Sequence, residues 1–225
     1  MRFSLPLLFV LLAVAGCDTT EPDAPSPLAP AIPLAVGAEW TFEEAARIEY
    51  TDGVPSDTLA PASDTQYTLR ATRDTVVAGE TWVRIEAPRG FSHCVFEPSA
   101  WYANRQDGLY RWRSSPADAE LVYAVTAAEG APFLVTDVVS ATLVDENAQV
   151  GVAGTTIPAR VYARTWRRVE FSAEVRGPIV PTAETRDALS PSAGPVVLEL
   201  IYVNHAGDDA TFVPHLKRVY TRADL

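Results

Sequence analysis

Hydrophobic and polar positions alternate with period two along much of the chain. Across residues 39–50 the even positions read Trp, Phe, Glu, Ala, Ile and Tyr, while the odd ones are polar apart from Ala45. That period places successive side chains on opposite faces of an extended strand. Residues 66–87 form a predicted hairpin turning at Gly79-Glu80, because glycine in the first central position suits a type II′ turn. That register sets Val77 against Trp82 and Arg73 against Glu86, and it avoids facing Arg73 with Arg84.

A second hairpin is predicted over residues 101–114, turning at Asp107-Gly108. Its alternation puts Trp101, Ala103, Arg105, Tyr110 and Trp112 on one face, and Tyr102, Asn104, Gln106, Leu109, Arg111 and Arg113 on the other. Further strands are expected at 121–126, 133–144, 149–152, 160–175, 196–204 and 212–221. Glu129-Gly130, Ala153-Gly154 and Gly207-Asp208-Asp209 turn the chain between them. Residues 52–64 and 178–195, with two and four prolines, read as loops. No sustained helical stripe appears. The expected fold is mainly β, an antiparallel meander forming a single open half-barrel or barrel-like domain.

The first residues break this pattern. After Met1-Arg2-Phe3-Ser4 the chain is almost wholly apolar to Ala15, a run about half the roughly 20 residues of a membrane-spanning helix. Residues 1–16 therefore read as a secretory signal. Val14-Ala15-Gly16-Cys17 resembles the lipobox of bacterial lipoproteins, which implies cleavage before Cys17 and acylation of its sulfur. Acyl chains bury about 0.8 kcal/mol per methylene, so such a protein is held on a bilayer without spanning it. Residues 17–35 then read as the lipidated cysteine and a tether, since 18–33 carry five prolines and little to bury. Residues 36–225 are enough for one β-rich domain. The implied location is the bacterial cell envelope, on the outer or inner membrane, facing periplasm or surface. Asp18 resembles an inner-membrane retention signal of enteric lipoproteins.

Composition narrows the partners. The net charge is −11, with no long basic stretch, so nucleic acid is not an expected ligand. With Cys17 acylated, Cys94 has no partner for an intrachain disulfide. The chain has no Gly-x-Ser-x-Gly elbow, Ser-x-x-Lys, His-Glu-x-x-His, Cys-x-x-Cys or phosphate-cradling glycine loop. His93-Cys94, joined by His205 or His215, has the N and S donors of a transition-metal site. Adjacent strand residues point to opposite faces, however, so the expected reading is a buried thiol beside a surface histidine, with no metal and no cofactor. Asp208-Asp209 reads as a solvated turn. Glu43-Glu44 and Asp145-Glu146 are sequence neighbours on an acidic surface. Arg164, Arg167 and Arg168 around Trp166 read as a solvated face.

The segment from Pro33 to Phe42 resembles the Pro-Leu-x-x-Gly-x-x-Trp-x-Tyr/Phe opening of many uncharacterised envelope lipoproteins. Asp107-Gly108-Leu109-Tyr110-Arg111 and Val150-Gly151-Val152-Ala153-Gly154-Thr155 resemble two further segments of theirs, the second without its proline. The match covers about a tenth of the chain, and the family's closing Pro-Gly-x-Gly-Leu-Val run is not reproduced at 213–217. Such proteins resemble open half-barrels that carry lipoproteins or lipids through the envelope. Physically, Gly37 suits the turn from tether to strand and Trp40 an anchor in the core.

The function expected from these features is non-enzymatic: an envelope lipoprotein that binds an apolar ligand or another envelope component. A structural or accessory subunit of an envelope complex is the alternative. A hydrolase is a third reading, requiring paired carboxylates facing one cleft about 5–10 Å apart.

Overall fold

A computed structural model describes the backbone of residues 29–51, 54–60, 65–91, 93–112, 114–136, 139–171, 176–206 and 211–225. Side chains within 50–60, at 136, and within 166–183 and 202–215 are outside the described set. So are residues 1–28, on which the expected signal segment, Cys17, Asp18 and most of the expected tether fall, and Asp208-Asp209.

Thirteen strands occur among the described residues. They are β1 (Glu39–Thr51), β2 (Val54–Ala60), β3 (Gln66–Val77), β4 (Glu80–Glu86), β5 (Ala100–Arg105), β6 (Gly108–Trp112) and β7 (Glu120–Ala124). Then follow β8 (Pro132–Thr136), β9 (Val139–Val152), β10 (Thr155–Phe171), β11 (Arg176–Ser190), β12 (Gly194–Ala206) and β13 (Thr211–Arg222). Twelve form one antiparallel sheet in the order β7-β6-β5-β4-β3-β1-β13-β12-β11-β10-β9-β8. Two meanders, β3–β7 and β8–β13, are thus joined across β1, which pairs with β3 on one side and β13 on the other. The sheet curls into a nearly closed barrel. Its one unsealed seam lies between β7 and β8, consecutive strands without a shared ladder.

Side chains close that seam from within. Tyr162 of β10 donates its hydroxyl to the Ala124 carbonyl of β7 at 3.1 Å. Its ring lies 5.1 Å from Tyr123 and 6.4 Å from Phe133 of β8.

Two expected loops are strands. Residues 54–60 form β2, which pairs with the second half of β1. Most of 178–195 is β11, laddered against β10 from Arg176 to Leu189. Its prolines are tolerated because β11 pairs with β12 only from Ala188 onward among the described residues, so the earlier edge needs no N–H at Pro178 or Pro181. Where that ladder stops, carboxylates take over: Glu199 N–H donates to Asp187 at 2.9 Å and Arg186 N–H to Glu199 at 2.7 Å. The expected strand over 133–144 is divided between β8 and β9.

Turn chemistry moved one register. The β3–β4 hairpin turns at Ala78-Gly79, with φ of +52° and +82°. Ala153-Gly154 repeats the device between β9 and β10, at +49° and +80°. Two consecutive left-handed residues match the twist of a hairpin better than Gly79-Glu80 could. The consequence is that Arg73 does face Arg84. Their charges are handled separately, since Arg73 lies over the Trp101 ring at 5.4 Å and Arg84 pairs with Glu86 at 3.5 Å. Trp101 stacks on Trp112, and Trp112 meets Trp82 edge-on, so an aromatic row braces the outside of β4–β6.

The β5–β6 hairpin turns at Gln106-Asp107, and the expected division into two faces holds because the pairing slips by an even number. Gly108 is required by close approach: a Cβ there would collide with the Tyr123 backbone and the Leu121 side chain. The Tyr102, Leu109 and Arg111 face turns inward. At the amino end, Gly37 has φ of +90° and donates to Ala71, and Trp40 is buried. Within the described residues, Ala31 and Ile32 are buried and the Ile32 carbonyl is held by Asn104 at 2.8 Å.

Trp40 is locked by Gly194, whose added Cβ would lie 2.9 Å from two indole carbons. Gly194→Ala should therefore destabilise the protein by about 3 kcal/mol in urea unfolding, from overpacking and a left-handed φ together. Gly79→Ala, strained in φ but with open space around it, should lose only about 1 kcal/mol.

Candidate functional site

The connection between β4 and β5 is too apolar for a solvent loop. It contains Phe91, Val95 and Phe96, and the chain buries all three by turning the segment into the barrel. Phe91 packs among Tyr220, Tyr67 and Phe42, with ring centroids 4.9, 5.8 and 6.1 Å away. Phe96 sits between Tyr102 and Tyr123. Phe91, Val95 and Phe96 thus belong to the same core cluster as Phe42, Leu189, Leu198 and Tyr220 of the surrounding strands.

An inserted backbone needs partners for its polar groups. Arg111 of β6, buried inside the wall, donates Nη1 to the Cys94 carbonyl at 2.6 Å and the Val95 carbonyl at 2.9 Å. Its charge is met by Glu97 at 3.2 Å and by Glu120. Tyr102 donates to the Val95 carbonyl at 2.7 Å and accepts from Glu97 N–H at 3.0 Å.

His93 completes the attachment. Its Nδ1 accepts the N–H groups of Val95 and Phe96 at 3.2 and 3.3 Å. Nε2 therefore carries the proton and donates to Asp187 Oδ1 at 3.1 Å. Asp187 also receives the Tyr123 hydroxyl at 2.7 Å, a guanidinium nitrogen of Arg164, and the Glu199 N–H. Arg164 lies over the Tyr123 ring at 4.6 Å. All four of His93, Tyr123, Arg164 and Asp187 are buried.

Burial alone would raise Asp187, yet Arg164 and the hydrogen-bonded His93 hold it well below the usual carboxylate range. Burial dominates at His93 and lowers its pKa, keeping the ring neutral. Burial also raises the Cys94 thiol and pushes the Tyr123 phenol well up. The chemistry is that of a fixed, neutral-plus-paired network. An aspartate–histidine pair serves as a general base only with a free ring nitrogen, and His93 has both engaged.

The sequence expectation for His93-Cys94 is thereby reversed: the histidine is buried and the thiol half-buried, because the backbone there is an inserted loop and not a strand. No group of three or more metal-ligating side chains occurs among the described residues. The side chains of His205 and His215 lie outside them. Arg164 faces the interior instead of solvent, on the same face of β10 as Arg160 and Tyr162. The side chains of Trp166, Arg167 and Arg168 lie outside the described set. Glu44 is buried and Glu43 exposed, whereas Asp145 and Glu146 are both exposed.

A cavity of about 310 Å³ opens at the barrel end formed by β9, β10 and the β11–β12 turn. Glu146, Asn147, Gln149, Arg160 and Ser192 line it, with Pro158 and Pro191 as apolar walls. Arg160 also donates to the Ala29 carbonyl at 3.2 Å, bringing the incoming chain to this rim. Glu146 is the single carboxylate among its lining residues, where glycoside hydrolysis needs a pair.

The lowered pKa of His93 sets a pH dependence. As pH falls below about 6.5, the unfolded chain binds a proton that the folded His93 refuses, so stability is lost on the acid side. Asp187, also lowered, adds a loss only below about 3.8. Urea unfolding should show stability falling as pH drops below about 6.5, with a slope of up to about 1.4 kcal/mol per unit from His93. His93→Asn should be less stable at neutral pH and lack that component. Asp187→Asn, which leaves Arg164 without its counter-charge, should lose about 3–5 kcal/mol.

Comparisons with protein-family models, curated proteins and solved structures returned no match to this chain, so the barrel and its interior geometry carry the functional argument.

Proposed function

We propose that this chain is a non-enzymatic envelope lipoprotein, anchored through Cys17, whose barrel binds another envelope component on its outer surface. The observation that carries this reading is the inserted β4–β5 loop. Phe91, Val95 and Phe96 occupy apolar space that a carried lipid would need, and this favours an envelope partner over an apolar ligand in the lumen. The seam supplies the surface. Edge strands β7 and β8 end the ladder there, and β8 exposes Leu134 at 64% beside half-buried Phe133. Unpaired strand edges with apolar side chains are templates for strand addition by a partner chain. A role as accessory subunit of an envelope complex is the form of this reading in which the partner is permanent.

A photo-crosslinking residue in place of Leu134, introduced into the full-length protein in intact cells, should capture a discrete protein adduct. The same residue at Gln149, on the cavity rim, should not. The reading fails if neither position yields an adduct and the purified protein carries a stoichiometric apolar small molecule in native mass spectrometry.

A further inference from the structure

We propose that Arg164 and Thr185 form an interior binding site for a small oxyanion presenting two oxygens, a carboxylate or a phosphate group. The two residues are cross-strand partners on β10 and β11, and both are fully buried. Arg164 spends Nη1 on Asp187, while its Nε and Nη2 have no hydrogen-bond partner. Thr185 Oγ1 is equally without one. Buried polar groups in folded proteins are almost always paired, so three unpaired donors on two facing residues point to something that completes them.

The geometry of the Nε–Nη2 edge selects the ligand. Nε–H and Nη2–H are the two parallel bonds of the guanidinium, the fork that matches a carboxylate or phosphate bidentately. Arg111, in the same barrel, shows that edge filled: its Nε and Nη2 both donate to Glu120 Oε1, while Nη1 serves the inserted loop and Glu97. Arg111 therefore already faces two carboxylates. Arg164 has one, Asp187, and an oxyanion on its Nε–Nη2 edge would give it the same arrangement, with Thr185 as a third donor. The site does not depend on the outer-surface partner, because it lies inside the wall.

The test uses the full-length protein, with sodium acetate and inorganic phosphate titrated separately at constant ionic strength. Arginine Nε–H resonances are followed by NMR, and thermal melting in parallel. One buried Nε–H resonance, absent in Arg164→Lys, should shift saturably with at least one anion. Melting should rise with it. Thr185→Val should weaken that binding by about tenfold. Response to acetate alone assigns a carboxylate, and to phosphate alone a phosphoryl group. Should Arg164→Lys fail to fold, Thr185→Val and the wild-type resonance still decide. A resonance unmoved by both anions means that water fills the edge and overturns the proposal, as does anion-induced stabilisation that persists in Arg164→Lys.

Discussion

One buried carboxylate organises the interior. Asp187 accepts from His93, Tyr123, Arg164 and the Glu199 N–H, and so ties the inserted loop, β7, β10 and β12 to β11. A charge so far from solvent is sustained only when paired and hydrogen-bonded. Each of its partners depends on it in turn: Arg164 for a counter-charge, His93 for an acceptor. The same point marks where the β11–β12 ladder ends, so the carboxylate substitutes for backbone pairing that the sheet has given up. Buried networks of this kind specify one arrangement, because a half-satisfied version is worse than none.

This arrangement explains how a long sheet closes without completing its ladder. Among the described residues β7 and β8 share no ladder, yet Tyr123, Tyr162 and Phe133 meet behind the gap. The inserted loop fills the centre against Phe42, Tyr67 and Tyr220. Among the described residues the loop takes up core space and the sheet is unfinished along one edge, and that combination directs attention for a protein partner to the outside.

Much of the architecture was legible because strand alternation is a local signal. β1, the two faces of the β5–β6 hairpin and the Ala153-Gly154 turn follow from it directly. The Ala78-Gly79 turn is hidden in the sequence because like charges at Arg73 and Arg84 argue against it. Trp101 and Glu86, one on another strand and one two residues away, resolve that conflict. β11 is hidden in the sequence because prolines signal loops, and their tolerance depends on where the neighbouring ladder stops. The interior network was least legible. Arg111, Tyr123, Arg164, Thr185 and Asp187 are scattered over four strands, and only register brings them together. The available hint lay in residues 87–99, whose apolar content suits a lumen better than solvent, and in Arg160, Tyr162 and Arg164 sharing one face of β10.

The central claim, that the β4–β5 loop is a fixed internal plug, is tested most directly by amide hydrogen exchange of the full-length protein at neutral pH. The N–H groups of Val95, Phe96 and Glu97 should be protected to the same degree as the central amides of β10, because they are buried and bonded to His93 and Tyr102. Exchange of these three at the rate of a solvent-exposed loop, with β10 still protected, would contradict it.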